Sequence, residues 1–266
     1  MRLLQIVIFL GSLVQLYGCG FFYSKKSDET IVKNPAPSEL EQQRLCELGI
    51  LHERGFSLTP DFMEHPRAKI FGVTGQKSGS AKKSDLLFKT YATLANDVMG
   101  KLLKPLELPI HVYIEAKPSK QIFSAAVSKN GVLLSQDIFR RVKFENELAF
   151  ILARSVAAAR SGVGYKCIWD TDAGKLQIKN EPVNETQNAD LDVQAIRLLY
   201  EAHYDPRSAI SVIVNLDPAP PNRAGKFDPN EIRLQMTRQE IARLSPIRDP
   251  IVSGEVFKEK QRSLTH

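Results

Sequence analysis

The sequence has little of what metal and thiol sites are built from. Its 266 residues hold five histidines, three cysteines, four methionines and one tryptophan. The histidines, His52, His65, His111, His203 and His266, are scattered, so no two stand one helical turn apart to offer both imidazoles from one helix face. Each is read as a surface or satisfied core residue rather than a ligand. A long basic run is also missing. The excess of 36 Lys+Arg over 30 Asp+Glu, net +6, is spread along the chain, which argues against nucleic-acid binding. A mildly basic surface suits anionic lipid head groups or polymers equally well, and charge alone does not choose. No internal repeat is visible, which excludes a solenoid. What is present, 43% hydrophobic and 25% charged residues, is enough for one well-buried globular domain or two small ones.

The N-terminus is more informative. After Met1 and Arg2, the segment from Leu3 to Leu16 is mostly apolar but broken by Gln5, Gly11, Ser12 and Gln15. It is shorter than the roughly 20 residues a permanent membrane-spanning helix needs. It ends in Leu16-Tyr17-Gly18-Cys19, which resembles the lipobox of bacterial lipoproteins. The resemblance implies a signal peptide over 1–18, a lipidated Cys19 as the new N-terminus and a flexible Lys/Ser/Pro-containing tether over 19–38. The blander readings are a plain secretory signal or a buried apolar N-terminal helix. Acyl chains contribute about 0.8 kcal/mol per buried CH₂, so several on one cysteine would hold the chain on a membrane face. Gly20 stands where an Asp would resemble an inner-membrane retention signal, so the expectation is the outer membrane, periplasmic side. Of the other two cysteines, Cys46 and Cys167 could pair in an oxidising compartment or remain buried thiols. The sequence does not show whether their Cα atoms approach within about 7 Å.

Folding is expected from Glu39. Leu40, Leu45, Leu48 and Leu51 suggest a first amphipathic helix ending at Gly55, and Gly75 to Lys83 reads as a loop. Leu87, Tyr91, Leu94, Val98 and Leu102 recur on one face of a second helix. Ile110, Val112 and Ile114 alternate as a half-buried strand, and Asn130-Gly131 joins two further apolar runs as a hairpin. A helix over residues 145–160 follows, then a small hairpin around Asp172 to Lys175, and a helix from Asn188 to Ala202. Asp205-Pro206 opens the next helix, with Ile210, Ile213 and Val214 as its apolar side. Asp228 and Glu231, at capping-box spacing, start a last helix to about Leu244. This order predicts α+β, a mainly helical domain over 39–245 with a small antiparallel sheet, and a loosely ordered tail over 246–266.

Three motifs in common order then resemble one family. Glu145-Asn146-Glu147-Leu148-Ala149-Phe150-Ile151-Leu152-Ala153 matches the lead-in of D/E-E-L-A-x-x-L-A-H-E-x-x-H; Asn188-Ala189-Asp190-Leu191-Asp192 and Ala202-His203-Tyr204-Asp205-Pro206 match E-x-x-A-D and A-G-Y/F-D-P. Asp228-Pro229-Asn230-Glu231-Ile232-Arg233-Leu234 echoes H-P-x-x-x-R-I. Together, over roughly residues 85–235, they are similar to the zinc metallopeptidases related to the CAAX prenyl proteases, including bacterial periplasmic members. That family uses two histidines one turn apart and a carboxylate from another helix to hold zinc, with the intervening Glu taking a proton from the bound water.

Residue by residue, the resemblance puts Arg154 at the first His, Ser155 at the general base, Ala158 at the second His and Asn188 at the ligand Glu. All four roles are vacated. Arg154 is a fixed positive charge where Zn²⁺ would sit, and without the metal the water's pKa returns from about 7 towards 15.7. Asp192 stands where the family has the Asp that orients a ligand His, one turn beyond Asn188 on the same face. The expectation is that Arg154 fills the metal space and pairs with Asp192; the competing reading has Arg154 snorkelling to solvent and Asp192 capping something local. Only 29 residues separate Ala158 from Asn188, where the family usually has a longer excursion, so the cleft wall is expected to differ. The implied function is a lipid-anchored, metallopeptidase-like protein without cofactor, serving as a binding, scaffold or chaperone-like component of the cell envelope. Its partners would be envelope proteins or peptides and the membrane itself. The alternative is a zinc metalloendopeptidase of the same family acting in envelope protein quality control.

Overall fold

Periodicity and tight turns place most of the elements where the sequence suggests. The structure, a computed structural model, describes residues 36–53, 69–72, 81–103, 110–115, 124–128, 131–180, 183–216 and 229–264. The expected signal peptide, Cys19, most of the tether and the Asp228 cap lie outside these residues. The helices are α1 (Glu39–Glu53), α2 (Ala81–Leu103), α3 (Ile138–Arg141), α4 (Glu145–Ser161), α5 (Glu185–Glu201), α6 (Ser208–Asn215), α7 (Pro229–Arg243) and α8 (Glu255–Leu264). The strands are β1 (Lys69–Gly72), β2 (His111–Glu115), β3 (Ser124–Ser128), β4 (Gly131–Ser135), β5 (Tyr165–Asp170) and β6 (Lys175–Asn180). The chain is thus α+β and mainly helical, with a small sheet.

That sheet is mixed, in the order β1-β2-β4-β3. β1 and β4 flank β2 in parallel, and β3 closes the far edge antiparallel to β4. β1 was not anticipated, because four residues flanked by no periodic pattern carry no strand signal. β2 was read as half-buried, yet His111 through Ile114 are all buried. The reason is that both faces are covered: Val112 and Ile114 pack into the main core with α2 and α4, while Tyr113 joins a second cluster with Ile50 and Leu51 of α1 and Leu176 and Ile178 of β6. The β5–β6 pair forms a separate antiparallel hairpin.

α1 buries only part of the leucine face that the sequence offers. Leu40 is 77% exposed, and the residues turned inward are Cys46, Glu47, Ile50 and Leu51. Two tethers fix that rotation. Cys46 and Cys167 form a disulfide with Cα atoms 5.8 Å apart, joining α1 to β5. At the next residue, the buried Glu47 carboxylate accepts hydrogen bonds from Tyr113 Oη and, at 2.7 Å, from Ser128 Oγ. Burial first, then the Glu47 charge, pushes the Tyr113 hydroxyl far above the ordinary tyrosine range, so it stays a donor.

The segment after α7 is a correction. It was expected as a loose tail beyond a boundary at 245, whereas the compact unit runs from Asn34 to His266 and residues 246–264 are docked. Ile251 N–H donates to His203 O at 2.8 Å, Asp205 N–H to Ile251 O at 3.0 Å and Asn146 N–H to Val252 O at 3.1 Å. Phe257 of α8 is 1% exposed in the main core, and Gln261 Nε2 donates to Val142 O at 2.6 Å. Two prolines and many charges concealed this segment because its anchoring rests on backbone pairing, to which hydropathy is blind.

Two outcomes are expected. The disulfide closes a separation of 121 residues, and replacing Cys46 and Cys167 by Ser lowers the unfolding free energy by about 2–5 kcal/mol in urea titrations. Phe257→Ala costs about 3–5 kcal/mol and opens residues 246–264 to limited proteolysis; cleavage there at equal rates in wild type would show that the segment is not docked.

Candidate functional site

α4 is the helix on which the other elements converge, and nearly all of it is buried, including Glu145, Asn146 and Glu147 in its first turn. Glu147 reaches back to the Lys143 and Phe144 backbone N–H groups at 2.7 and 3.3 Å, half of a capping box, since Phe144 has no side-chain acceptor to return the bond. Its other oxygen accepts from Ser211 Oγ of α6 at 2.7 Å. Glu145 accepts from Lys101 Nζ of α2 and Tyr204 Oη, each at 2.6 Å, and from Gly254 N–H at 2.6 Å. Burial alone would lower the Lys101 pKa, but its bonds to Asp97 and Glu145 outweigh that and raise it. Burial, reinforced by the bond to Glu145, holds the Tyr204 hydroxyl well above its usual range. At the other end Gly162 stops the helix at φ 65°, with Gly162 N–H on Ala159 O and Val163 N–H on Ala158 O, a Schellman motif.

Between these two ends, Arg154 meets α5. The start of α5 is fixed by a reciprocal cap in which Asn184 Oδ1 accepts from Gln187 N–H at 2.8 Å and Gln187 Oε1 accepts from Asn184 N–H at 3.1 Å. One turn later, Arg154 Nη2 donates to Asn188 Oδ1, and Arg154 Nε donates to Asp192 Oδ1 at 2.8 Å. Asn188 Nδ2 also donates to Val183 O at 3.4 Å. The Arg154 side chain keeps 18% of its surface exposed, while Asp192 is fully buried.

Arg233 of α7 joins the same carboxylate, a role that the motif pattern alone does not signal. Its Nε donates to Asp192 Oδ2 at 2.6 Å and its Nη2 to Asp192 Oδ1 at 3.1 Å, with Nη1 on Asn230 Oδ1 at 3.4 Å. Asp192 therefore accepts three N–H groups from two guanidiniums and ties α4, α5 and α7 together. The signal was available in the pattern of α7: Asn230, Arg233, Thr237 and Glu240 are the buried positions, spaced three or four apart. They are polar, so an apolar-moment reading passes over them. Glu240 extends the same seam by accepting from Arg197 Nε of α5 at 2.6 Å.

Ser155 is buried and turned onto its own helix, donating to Ile151 O at 2.9 Å, which leaves it no general-base or nucleophilic role. Ala158 lies in an apolar cluster with Ala126, Ala157, Ala159 and Leu191. Among the histidines, His111 is buried 3.6 Å from Glu47 beneath α1, and His203 turns the corner after α5 at φ 61°. The side chains of His52, His65 and His266 lie outside the described residues. Among the described residues no three His, Cys, Asp or Glu side chains converge in a way that could hold a metal ion. The donor set at Arg154 does not fit zinc either: two guanidiniums occupy the one buried carboxylate, and the other groups are an amide and an alanine. A mostly apolar cleft of ≈ 200 Å³ lies elsewhere, beside the disulfide, lined by Cys46, Val127, Ala159, Val163, Lys166 and Cys167.

No protein-family model matches the chain. Among the described residues no helix is long and apolar enough to cross a membrane.

The hydrogen-bond count at Asp192 sets a rank order for substitution. Asp192→Asn removes the buried carboxylate that both guanidiniums share and costs about 3–5 kcal/mol. Arg154→Met removes one bond to a carboxylate that keeps both bonds from Arg233, so it costs less, about 1.5–3 kcal/mol. Equal losses for these two variants in denaturant titrations would contradict the three-helix bridge.

Proposed function

We propose that this chain is a non-catalytic relative of the zinc metallopeptidases related to the CAAX prenyl proteases, held to the outer membrane on its periplasmic side by a lipid on Cys19. It would work there as a binding, scaffold or chaperone-like protein for envelope proteins or peptides. The observation that carries the reading is the Arg154 guanidinium hydrogen-bonded between Asp192 and Asn188, the two α5 positions that the motif alignment assigns to metal-site roles. In the peptidase arrangement a zinc ion links the same two helices. Here a charge-assisted hydrogen-bond bridge links them, position 154 offers a permanent cation in place of a metal ligand, and position 155 offers a hydroxyl bonded to its own helix in place of a base. The disulfide between Cys46 and Cys167 supports an oxidising compartment, as the proposed lipoprotein signal requires.

Metal content tests this directly. Full-length protein purified without chelator is expected to carry far less than one zinc per chain by plasma mass spectrometry and to cleave no unfolded substrate; stoichiometric zinc with chelator-sensitive cleavage would replace this proposal with the peptidase. A gain-of-binding variant tests the alignment itself. Arg154→His with Ala158→His puts two imidazoles one turn apart on α4, and Asn188→Glu adds a carboxylate from α5, so the triple variant is expected to bind zinc where wild type does not. Failure of a folded triple variant to bind would undercut the correspondence of positions.

A further inference from the structure

We infer that the Cys46–Cys167 disulfide is a thiol–disulfide exchange site, with the apolar cleft beside it as the seat of a peptide that carries a reduced cysteine next to an apolar residue. The inference goes beyond the proposed function and stands on the cleft and the disulfide, not on the metallopeptidase resemblance. The cleft lies between α1, β3, the C-terminal end of α4 and β5. Both half-cystines line it, Cys46 from α1 and Cys167 from β5, so a thiol seated there lies against the disulfide. Ala126, Val127, Ala159 and Val163 add methyl groups to the lining. Its ≈ 200 Å³ is below the roughly 300–1,000 Å³ of a small-molecule pocket and suits an apolar side chain rather than a whole ligand.

The two sulfurs are not equivalent. Cys46 is 7% exposed, whereas Cys167 is only half-buried, so an incoming thiolate meets Cys167 first. The peptide thiolate forms a bond to Cys167 Sγ, the Sγ–Sγ bond breaks, and Cys46 Sγ leaves as a thiolate that takes up the proton lost by the peptide thiol. A second cysteine of the peptide then attacks the peptide sulfur of this mixed disulfide, and Cys167 Sγ leaves and is protonated in turn. Two electrons and two protons pass from peptide to protein, which ends with two thiols while the peptide ends as a disulfide. The fold holds the thiols in place for the reverse exchange. Glu47, next to Cys46, is bonded to Tyr113 and Ser128, and Ile50 and Leu51 on the following turn are buried, so α1 has anchors besides the disulfide.

The test uses full-length protein carrying Cys19→Ser, in which Cys46 and Cys167 are the only cysteines. The probes are the N-acetyl peptide amides Val-Cys-Ala and Ser-Cys-Ser, with acid quenching and mass mapping of the mixed disulfide. The adduct is expected on Cys167, at a rate proportional to peptide concentration and flat in urea well below the unfolding transition. Val-Cys-Ala is expected to react about tenfold faster than Ser-Cys-Ser, the discrimination that a small apolar pocket supplies. Val163→Lys, which places a charge in the cleft, should erase that preference with the circular dichroism spectrum unchanged. A rate that climbs with urea in step with unfolding would overturn the inference, since only the unfolded chain would then react. An adduct on Cys46, equal rates for the two peptides, or a preference that survives Val163→Lys would each overturn it as well. Should Val163→Lys fail to fold, the comparison of the two peptides on the Cys19→Ser protein decides alone.

Discussion

A carboxylate at zero exposure is the constraint around which this molecule is arranged. Burying Asp192 as an anion carries a desolvation penalty of several kcal/mol, which nothing apolar can offset. The three guanidinium N–H groups that meet it come from α4 and α7, so its solvation shell is the packing of three helices. Any displacement of α4 or α7 that lengthens these bonds exposes the penalty again. That is why the interface tolerates a polar stripe on α7, from Asn230 through Arg233 and Thr237 to Glu240, where an apolar one would be ordinary. The stripe adds a second charged pair, the buried Glu240 with the exposed Arg197, and the α5–α7 seam is held by direction and charge as much as by area.

The same logic recurs at the N-terminal end of α4. Glu145 and Glu147 are buried acids in a first turn, where the helix dipole favours negative charge and the free N–H groups need acceptors. Each is satisfied by elements distant in sequence: Lys101 from α2, Tyr204 from the corner after α5, Ser211 from α6 and Gly254 from the C-terminal segment. α4 is therefore held at its start by two carboxylates, at its middle by a guanidinium and at its end by a left-handed glycine. The small residues Ala153, Ala157 and Ala158 between these fixed points are buried and keep side-chain bulk low along the helix.

How much of this could be read in advance depended on the kind of force involved. α2 was legible because Tyr91, Leu94, Val98 and Leu102 bury an apolar face at helical period, and the β3–β4 hairpin because Asn130-Gly131 marks its turn. The meeting of Arg154 with Asp192 could be anticipated because motif spacing put both on facing helices. Arg233 was not legible in this way, because in a sequence a buried arginine looks like a surface one until its counter-charge is located. α1 misled for a related reason: its leucines suggested one face, while a disulfide and the buried Glu47, neither visible to hydropathy, selected another. The docked C-terminal segment was missed because main-chain hydrogen bonds to Ile251 and Val252 leave no side-chain pattern.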